Sequence, residues 1–535
     1  MSDTTNVKLS FREKFGYSLG DAGANFVFQM MIVFQTAFYT DVMGIGASAV
    51  AWMLLLVRFS DAITDPIMGA IADRTNTRWG KFRPWLLWSA IPFALLFVAA
   101  YSVPDGLSPS ARLWYSVFTY TVLMMAYTMN NAPYSALNGV MTSNSSERTS
   151  LSQYRFFSAM VAAFVVQGLT LPLVNKLGDG DDAKGWMLTI SLFATIAVVF
   201  FVITFFSAKE RVEPPKGQKP DLKQDFKDIS KNVPWIAMFC MTLFVFITLA
   251  VRGGSQYYYF TYFVDSDALT AFVNKAGLFA SAATADSLSF GGRILDLFGL
   301  IVKEGDNPTA VGFSLFNMTG SLVNVLGVLM AKPLADRFGK KTVFMVGLAG
   351  AAFFQASFFF VGAASVTTMF ALTFLTSLCY GPTIPLLWAM IADCADWGEW
   401  KNNRRATGFV FAGIVFALKG GLGIGGAITG WLLAMYGYPE QGDLTPAWME
   451  AIAAQGLAQD SAAAKQLLDA MVFEARSADG LLMGYRQMIG FFSGGFFFLG
   501  VICMFFYPIS KQVAIEMSDE LEKRRIAEGN QPAEA

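Results

Sequence analysis

Long stretches of this chain pass with scarcely a charge: near 18–40, 48–72, 84–103, 113–141, 156–175, 187–207, 234–264, 310–331, 342–363, 367–392, 408–436 and 484–507. Each reaches the ~20 residues that an α-helix needs to cross a hydrocarbon layer about 30 Å thick. A soluble core would scatter the same residues at amphipathic spacing. Inside lipid every backbone N–H and C=O must be satisfied within the protein, and for blocks of this length the helix is the solution. The pattern predicts an all-α membrane protein of about twelve transmembrane helices. Composition agrees, because 54% of the 535 residues are hydrophobic and 15% are charged, against about 25% charged in an ordinary soluble protein.

An even number of spans returns both termini to one side, and basic residues indicate which side that is. Loop 73–83 holds Arg74, Arg78, Lys81 and Arg83; segment 208–233 holds seven Lys or Arg; loop 332–341 holds Lys332, Arg337, Lys340 and Lys341; loop 401–405 holds Lys401, Arg404 and Arg405. Loops 41–47 and 364–366 have none, and 104–112 has only Arg112. Both termini are therefore expected in the cytoplasm, with the protein in a bacterial inner membrane. The polar start MSDTTNVKLSFREKFGYSLGD, with no small-residue cleavage site after the first block, reads as leading into a retained helix. Cys240, Cys379, Cys394 and Cys503 show no CxxC spacing, which suits buried thiols rather than disulfides or metal ligands. With no histidine, no motif pairing a serine with a base and no phosphate loop, neither an enzyme nor a cofactor is expected. The net charge of −1 points to no nucleic acid. A monomer in the bilayer is the expectation.

Two stretches, GAIADRTNTRWGK (69–81) and KPLADRFGKK (332–341), resemble each other, each following the second apolar block of its half. Repetition at equivalent positions is the mark of a transporter built from related bundles with its solute site between them. The recurring pattern resembles the loops of the major facilitator superfamily. The expected organisation is a six-helix bundle over 1–207, a cytoplasmic linker at 208–233, a second bundle over 234–510 with insertions at 265–309 and 437–483, and a tail at 511–535. Within the insertions, FVNKAGLF and AAAKQLLDAMVF space their apolar residues as short amphipathic helices do. They are expected on the outer face, either as solvated additions or as a cap over the pathway exit.

The second block is interrupted by Arg58, Asp61 and Asp65, which helical spacing of i,i+3 and i,i+4 places on one face. Charges within a bilayer are costly and usually mark an ion or solute path. A carboxylate pair in low dielectric can ligate Na⁺ or hold a proton, and either cation would neutralise the site on binding.

These residues sit in DAITDPIMG (61–69), followed by RWGKFRPW (78–85), YTMNNAPYSAL (127–137), ERTSLSQYRFF (147–157), PLLWAMIADCADWGEWKNNRRATG (385–408) and FALKGG (416–421). Together they resemble the glycoside–pentoside–hexuronide:cation symporters, the melibiose-carrier-like family of the major facilitator superfamily. The resemblance implies symport of a sugar-like solute with H⁺ or Na⁺. It implies a cation site at Asp61 and Asp65, an arginine of the sugar site at Arg155 and, at Lys419, a cavity lysine associated with the carboxylates; Thr128 and Asn131 are further candidates for the cation site, and Asn25 and Lys419 for solute contacts. Where the melibiose-carrier pattern has aspartates on the first and fourth helices, this chain has Asn25 and Asn131. One fewer carboxylate favours a proton more than that pattern does, although an amide oxygen can still ligate Na⁺.

On the seventh helix, LAVRGGSQYYYFTYF (249–263) adds an intramembrane Arg252. Tyr258 and Tyr262, at i,i+4, offer rings and hydroxyls suited to a sugar, and Gly253 and Gly254 are expected to loosen the helix. Asp73, Arg74, Asp336, Arg337, Asp393, Asp396, Glu399, Arg404 and Arg405 form an expected cytoplasmic gating network. Two carboxylates, Asp61 and Asp65, against four cations, Arg58, Arg155, Arg252 and Lys419, predict a positive cavity that suits a hexuronide or acidic oligosaccharide as well as a neutral glycoside. A lysolipid carrier of the same superfamily is the competing expectation, opposed by the polar Asn25, Asn131 and Arg155.

Overall fold

The apolar blocks become long helices in a computed structural model that describes residues 8–142, 145–211, 229–281, 288–402, 407–459 and 461–527. Helix α1 (Phe11–Val33) continues through a turn at Gln35–Ala37 and a π-helical turn at Phe38–Val42. There follow α2 (Ala47–Arg74), α3 (Arg83–Ala100), α4 (Pro109–Met141), α5 (Ser145–Gly178) and α6 (Asp182–Ser207). After the linker come α7 (Val233–Tyr258), with a π-helical turn at Tyr259–Phe263, then the insertion helices α8 (Ser266–Lys275) and α9 (Phe290–Leu297). Next are α10 (Thr309–Phe338), α11 (Lys340–Ser357), the broken pair α12 (Val366–Tyr380) and α13 (Thr383–Asn402), and α14 (Thr407–Met435). The second insertion holds α15 (Gln441–Ala454) and α16 (Ala462–Arg476); α17 (Asp479–Arg486) runs through a π-helical turn into α18 (Ser493–Phe505), and α19 (Lys511–Ala527) follows.

Among the described residues, nine helical segments are long and apolar enough to cross a membrane on length and composition. The three remaining long segments are α1, α2 and α4, which carry Asp21 and Asn25, then Arg58, Asp61 and Asp65, then Asn130 and Asn131. Polar and charged residues lower the hydropathy of the helices that bear them.

The helices before the linker pack chiefly on each other, α1 against α5 and α6, α3 against α4 and α6, and α2 against α4. After the linker, α7 packs on α14 and α18, and α11 on α12 and α18. The main pairings that join the two groups are α2 with α14, α5 with α10, and α1 with α7. At the last of these a Cβ on Gly253 would stand 2.5 Å from the Ile32 carbonyl oxygen. Gly253 therefore lets two backbones touch, and α7 runs unbroken through it, which corrects the expectation that Gly253 and Gly254 loosen this helix.

The pairing of α1 with α7 shuts the face away from the termini, here called the distal face. At the termini face, α4 and α13 have their main neighbours in their own groups. The described ion pairs there, Lys14–Glu147, Glu13–Arg211 and Lys340–Asp393, also stay within one group. Between the groups Asp65 and Arg155 keep 32% and 25% of their side chains exposed, as in a carrier open toward the termini face.

The insertions are folded. The predicted amphipathic stretches form α8 and α16, and two-residue strands β1 (Phe279–Ala280) and β2 (Val302–Lys303) pair in parallel in the first insertion. Trp448, Ile452 and Ala464 form a small core of their own between α15 and α16, and the Trp448 indole N–H donates to the Ala464 carbonyl at 2.8 Å.

Candidate solute and cation site

Helix α2 places Arg58, Asp61 and Asp65 on one face, but the two carboxylates have separate partners. Arg58 Nη1 lies 3.3 Å from Asp61 Oδ2, with side chains 8% and 1% exposed. The second carboxylate oxygen of Asp61, Oδ1, is buried without a hydrogen-bond partner among the described residues. Such an orphan is uncommon, because a buried acceptor left unpaired costs about 1–3 kcal/mol. Arg58 reaches this position because Gly423 on α14 leaves room for its stem; a Cβ there would fall 2.4 Å from Arg58 Cγ. Asp65 is 32% exposed, accepts a 2.8 Å hydrogen bond from the Thr128 hydroxyl of α4, and is ion-paired with Lys419 of α14. The Asp65–Lys419 pair crosses from one helix group to the other.

Asn131 is half-buried and accepts from the Ser135 hydroxyl at 3.5 Å instead of meeting either carboxylate. Asn131 is therefore not brought to the carboxylates here, and from α4 it is Thr128 that reaches Asp65.

Arg155 on α5 pairs with Asp21 on α1 at 3.1 Å, and its guanidinium lies 5.1 Å from the centre of the Tyr134 ring. Asn25, one turn beyond Asp21, donates to the Asp21 carbonyl at 2.9 Å. One turn further, Gln29 accepts from Gln167 at 2.8 Å. Asp21, Asn25 and Gln29 follow at i, i+4 and i+8, so a polar stripe runs along α1. Sequence reasoning overlooked Asp21, although GDAGANF displays an acid inside an apolar block. The expected charge balance is corrected accordingly: Asp21, Asp61 and Asp65 match Arg155, Arg58 and Lys419 one to one. Arg252 is left over; its Nε is buried with no hydrogen-bond partner, and no ion pair reaches it among the described residues.

Tyr258 and Tyr262 sit elsewhere than expected. Tyr258 is fully buried and shares a 2.7 Å hydrogen bond with Thr40. Tyr262 donates to Asp41 Oδ2 at 3.1 Å and accepts from Arg476 at 3.2 Å. Both belong to the closed distal face, because α7 carries them past the cavity; they do not share a surface with the carboxylates. Asp41, the centre of that network, was also overlooked.

Of the residues expected to gate the termini face, Asp336, Arg337 and Asp393 make described contacts within the second group. Asp393 holds Lys340 at 2.7 Å, and the backbone carbonyls of Asp336 and Arg337 accept from Lys511 of α19 at 2.5 and 3.5 Å. Arg74 is exposed, while Asp396 and Glu399 are half-buried on α13. The side chain of Asp73, with Arg404 and Arg405, lies outside the described residues.

The sequence profile of the MFS/sugar transport protein family matches residues 16–289 and 305–511. The inner membrane symporter YicJ of Escherichia coli (strain K12) is 36% identical over 430 residues, covering 80% of this chain and 84% of that protein. The isoprimeverose transporter of Lactiplantibacillus pentosus is 32% identical over 430 residues, 80% of each chain. This chain belongs to the glycoside–pentoside–hexuronide:cation symporter family. It is an integral membrane transporter of the major facilitator fold, and not an enzyme. Among solved structures, a bacterial homolog to the human lysosomal transporter Spinster, inward-facing and unoccupied, superposes with a TM-score of 0.56 at 13% identity, covering 94% of this chain and 98% of that one. At that identity the likeness concerns the fold, and membership in the symporter family rests on the sequence matches.

Proposed function

We propose that this transporter is a proton-coupled symporter that takes up a glycoside or short oligosaccharide across the bacterial inner membrane by alternating access. The termini lie in the cytoplasm in this reading, so the cavity opens inward. The observation that carries it is the Asp65–Lys419 pair, a partly open carboxylate neutralised from the opposite helix group. Lys419 balances Asp65 in the empty carrier, which can then turn round without burying a bare charge. A proton on Asp65 replaces Lys419 and frees its ammonium, with Arg155 and Asn25, for solute hydroxyls. A proton needs one oxygen, whereas Na⁺ calls for several; Asn131 being turned to Ser135 supports the proton.

The test uses proteoliposomes carrying a pH-sensitive dye and a panel of neutral glycosides, pentosides, uronides and oligouronides. Downhill solute influx is expected to carry protons inward, unchanged when choline replaces Na⁺. Uptake that requires Na⁺ and moves no protons would replace the proton by Na⁺. Lysophospholipid flux without sugar flux would move the assignment to the lipid-handling reading.

Arg252 supports a narrower version in which the solute bears a carboxylate. A half-buried guanidinium whose Nε has no hydrogen-bond partner among the described residues suits that group, which it can bind bidentately. A uronide is expected to bind about tenfold or more tighter than its matched neutral sugar, the worth of one charge-assisted hydrogen bond. Arg252→Gln should erase that margin and leave the neutral sugar unaffected in a direct binding titration. A neutral sugar preferred by both proteins would sink this version.

A further inference from the structure

The distal face is closed by more than the packing of α1 on α7. Asp41, at the end of α1, is the hub: its Oδ1 accepts from the Tyr438 hydroxyl at 2.6 Å and the Thr40 hydroxyl at 2.7 Å, and its Oδ2 from Tyr262 at 3.1 Å. Arg476, the last residue of α16 in the second insertion, completes the shell with Nη1 at 3.4 Å from the same Oδ2. Both side chains are sequestered, 4% exposed for Arg476 and 8% for Asp41. The guanidinium also lies 4.6 Å from the centre of the Tyr438 ring. Tyr438, Tyr262 and Arg476 all come from beyond the linker, and Asp41 from before it, so the whole network spans the two helix groups.

We propose that Arg476 is a latch: the second insertion inserts a cation that docks on Asp41 only while the distal face is shut, and so favours the state open toward the termini. Opening that face parts Asp41 from three donors at once and leaves both charges needing water. Two other polar contacts from the insertions to the first group are more exposed. Lys465 donates to the Gly180 carbonyl at 2.9 Å from an exposed position, and Asp296 of α9 pairs with Lys176 at 3.6 Å, with side chains 30% and 36% exposed. Exposed contacts of this kind contribute little, whereas removing one partner of a buried pair strands the other. The latch rests on alternating access alone, so a wrong solute or coupling ion leaves it standing.

The test places spin labels at Asp105→Cys and Ala364→Cys, on distal loops of the two groups, after the four native cysteines are changed to serine. Electron–electron distances then report the populations with the distal face shut and open in nanodiscs. Arg476→Gln is expected to raise the open-to-shut ratio about tenfold, the worth of one charge-assisted hydrogen bond. Arg476→Lys should fall between that variant and the unaltered protein, and Lys465→Ala should change nothing. Unaltered populations in Arg476→Gln overturn the latch, as does an equal shift from Lys465→Ala, which would make the insertion a general clamp. If Arg476→Gln does not insert, Tyr438→Phe removes a single hydroxyl from Asp41 and must move the ratio in the same direction, or the proposal fails.

Discussion

Asp65→Asn is expected to abolish accumulation of solute against its gradient while leaving folded protein in the membrane. An inward proton gradient of two pH units supplies about 2.7 kcal/mol, enough for roughly hundredfold accumulation if one proton travels with each solute. The variant should equilibrate solute at a ratio of about one, because the carboxylate that takes up the ion and releases Lys419 is gone. Exchange of labelled for unlabelled solute should persist, since the described contacts of Asp21, Arg155 and Asn25 do not include Asp65. Asp61→Asn should be less severe, because Asp61 is held by Arg58 within its own helix and does not bridge the helix groups. Initial rates and plateau levels in proteoliposomes separate the two effects. Full accumulation by the Asp65 variant would remove this carboxylate from the coupling step.

Arg155→Ala is expected to weaken solute binding about tenfold to a hundredfold, within the range for losing hydrogen bonds to a charged donor. Part of any loss is structural, because Asp21 is left without its partner. Arg155→Gln combined with Asp21→Asn separates the contributions. The double variant keeps hydrogen-bonding groups and removes both charges, so thermal stability should recover toward that of the unaltered protein while solute affinity does not. Recovery of affinity together with stability would make Asp21–Arg155 a purely structural pair.

Several of these features were legible in the sequence because they are properties of short segments. An apolar block of sufficient length becomes a helix wherever it lies, and i,i+3 and i,i+4 spacing put Arg58, Asp61 and Asp65 on one face of α2 before any packing was known. The amphipathic spacing of AAAKQLLDAMVF likewise anticipated α16. The family motifs pointed to Arg155 and Lys419, which the structure brings to Asp21 and Asp65. Asp21 and Asp41 escape such a reading because each stands alone, without the i,i+3 and i,i+4 charged neighbours that mark the cluster on α2. Both lie inside or at the end of the first apolar block, where the same reasoning applied to a single acid would have singled them out.

Partnership is where the sequence ran out. Tyr258 and Tyr262 have the spacing of a sugar platform, yet their height along α7 puts them in the distal closure, and height is set by how α7 slides against α1 at Gly253. Arg476 meets Asp41 across more than four hundred residues of chain, through an insertion that periodicity marked only as a surface helix. Sequence by itself determined the membrane, the helices and the charges placed within them, because hydropathy and helical spacing act over one or two turns. Only the tertiary structure decided which carboxylate each cation neutralises and which cation is left unpaired, because ion pairing depends on approach between helices whose order in space the chain's local chemistry does not encode.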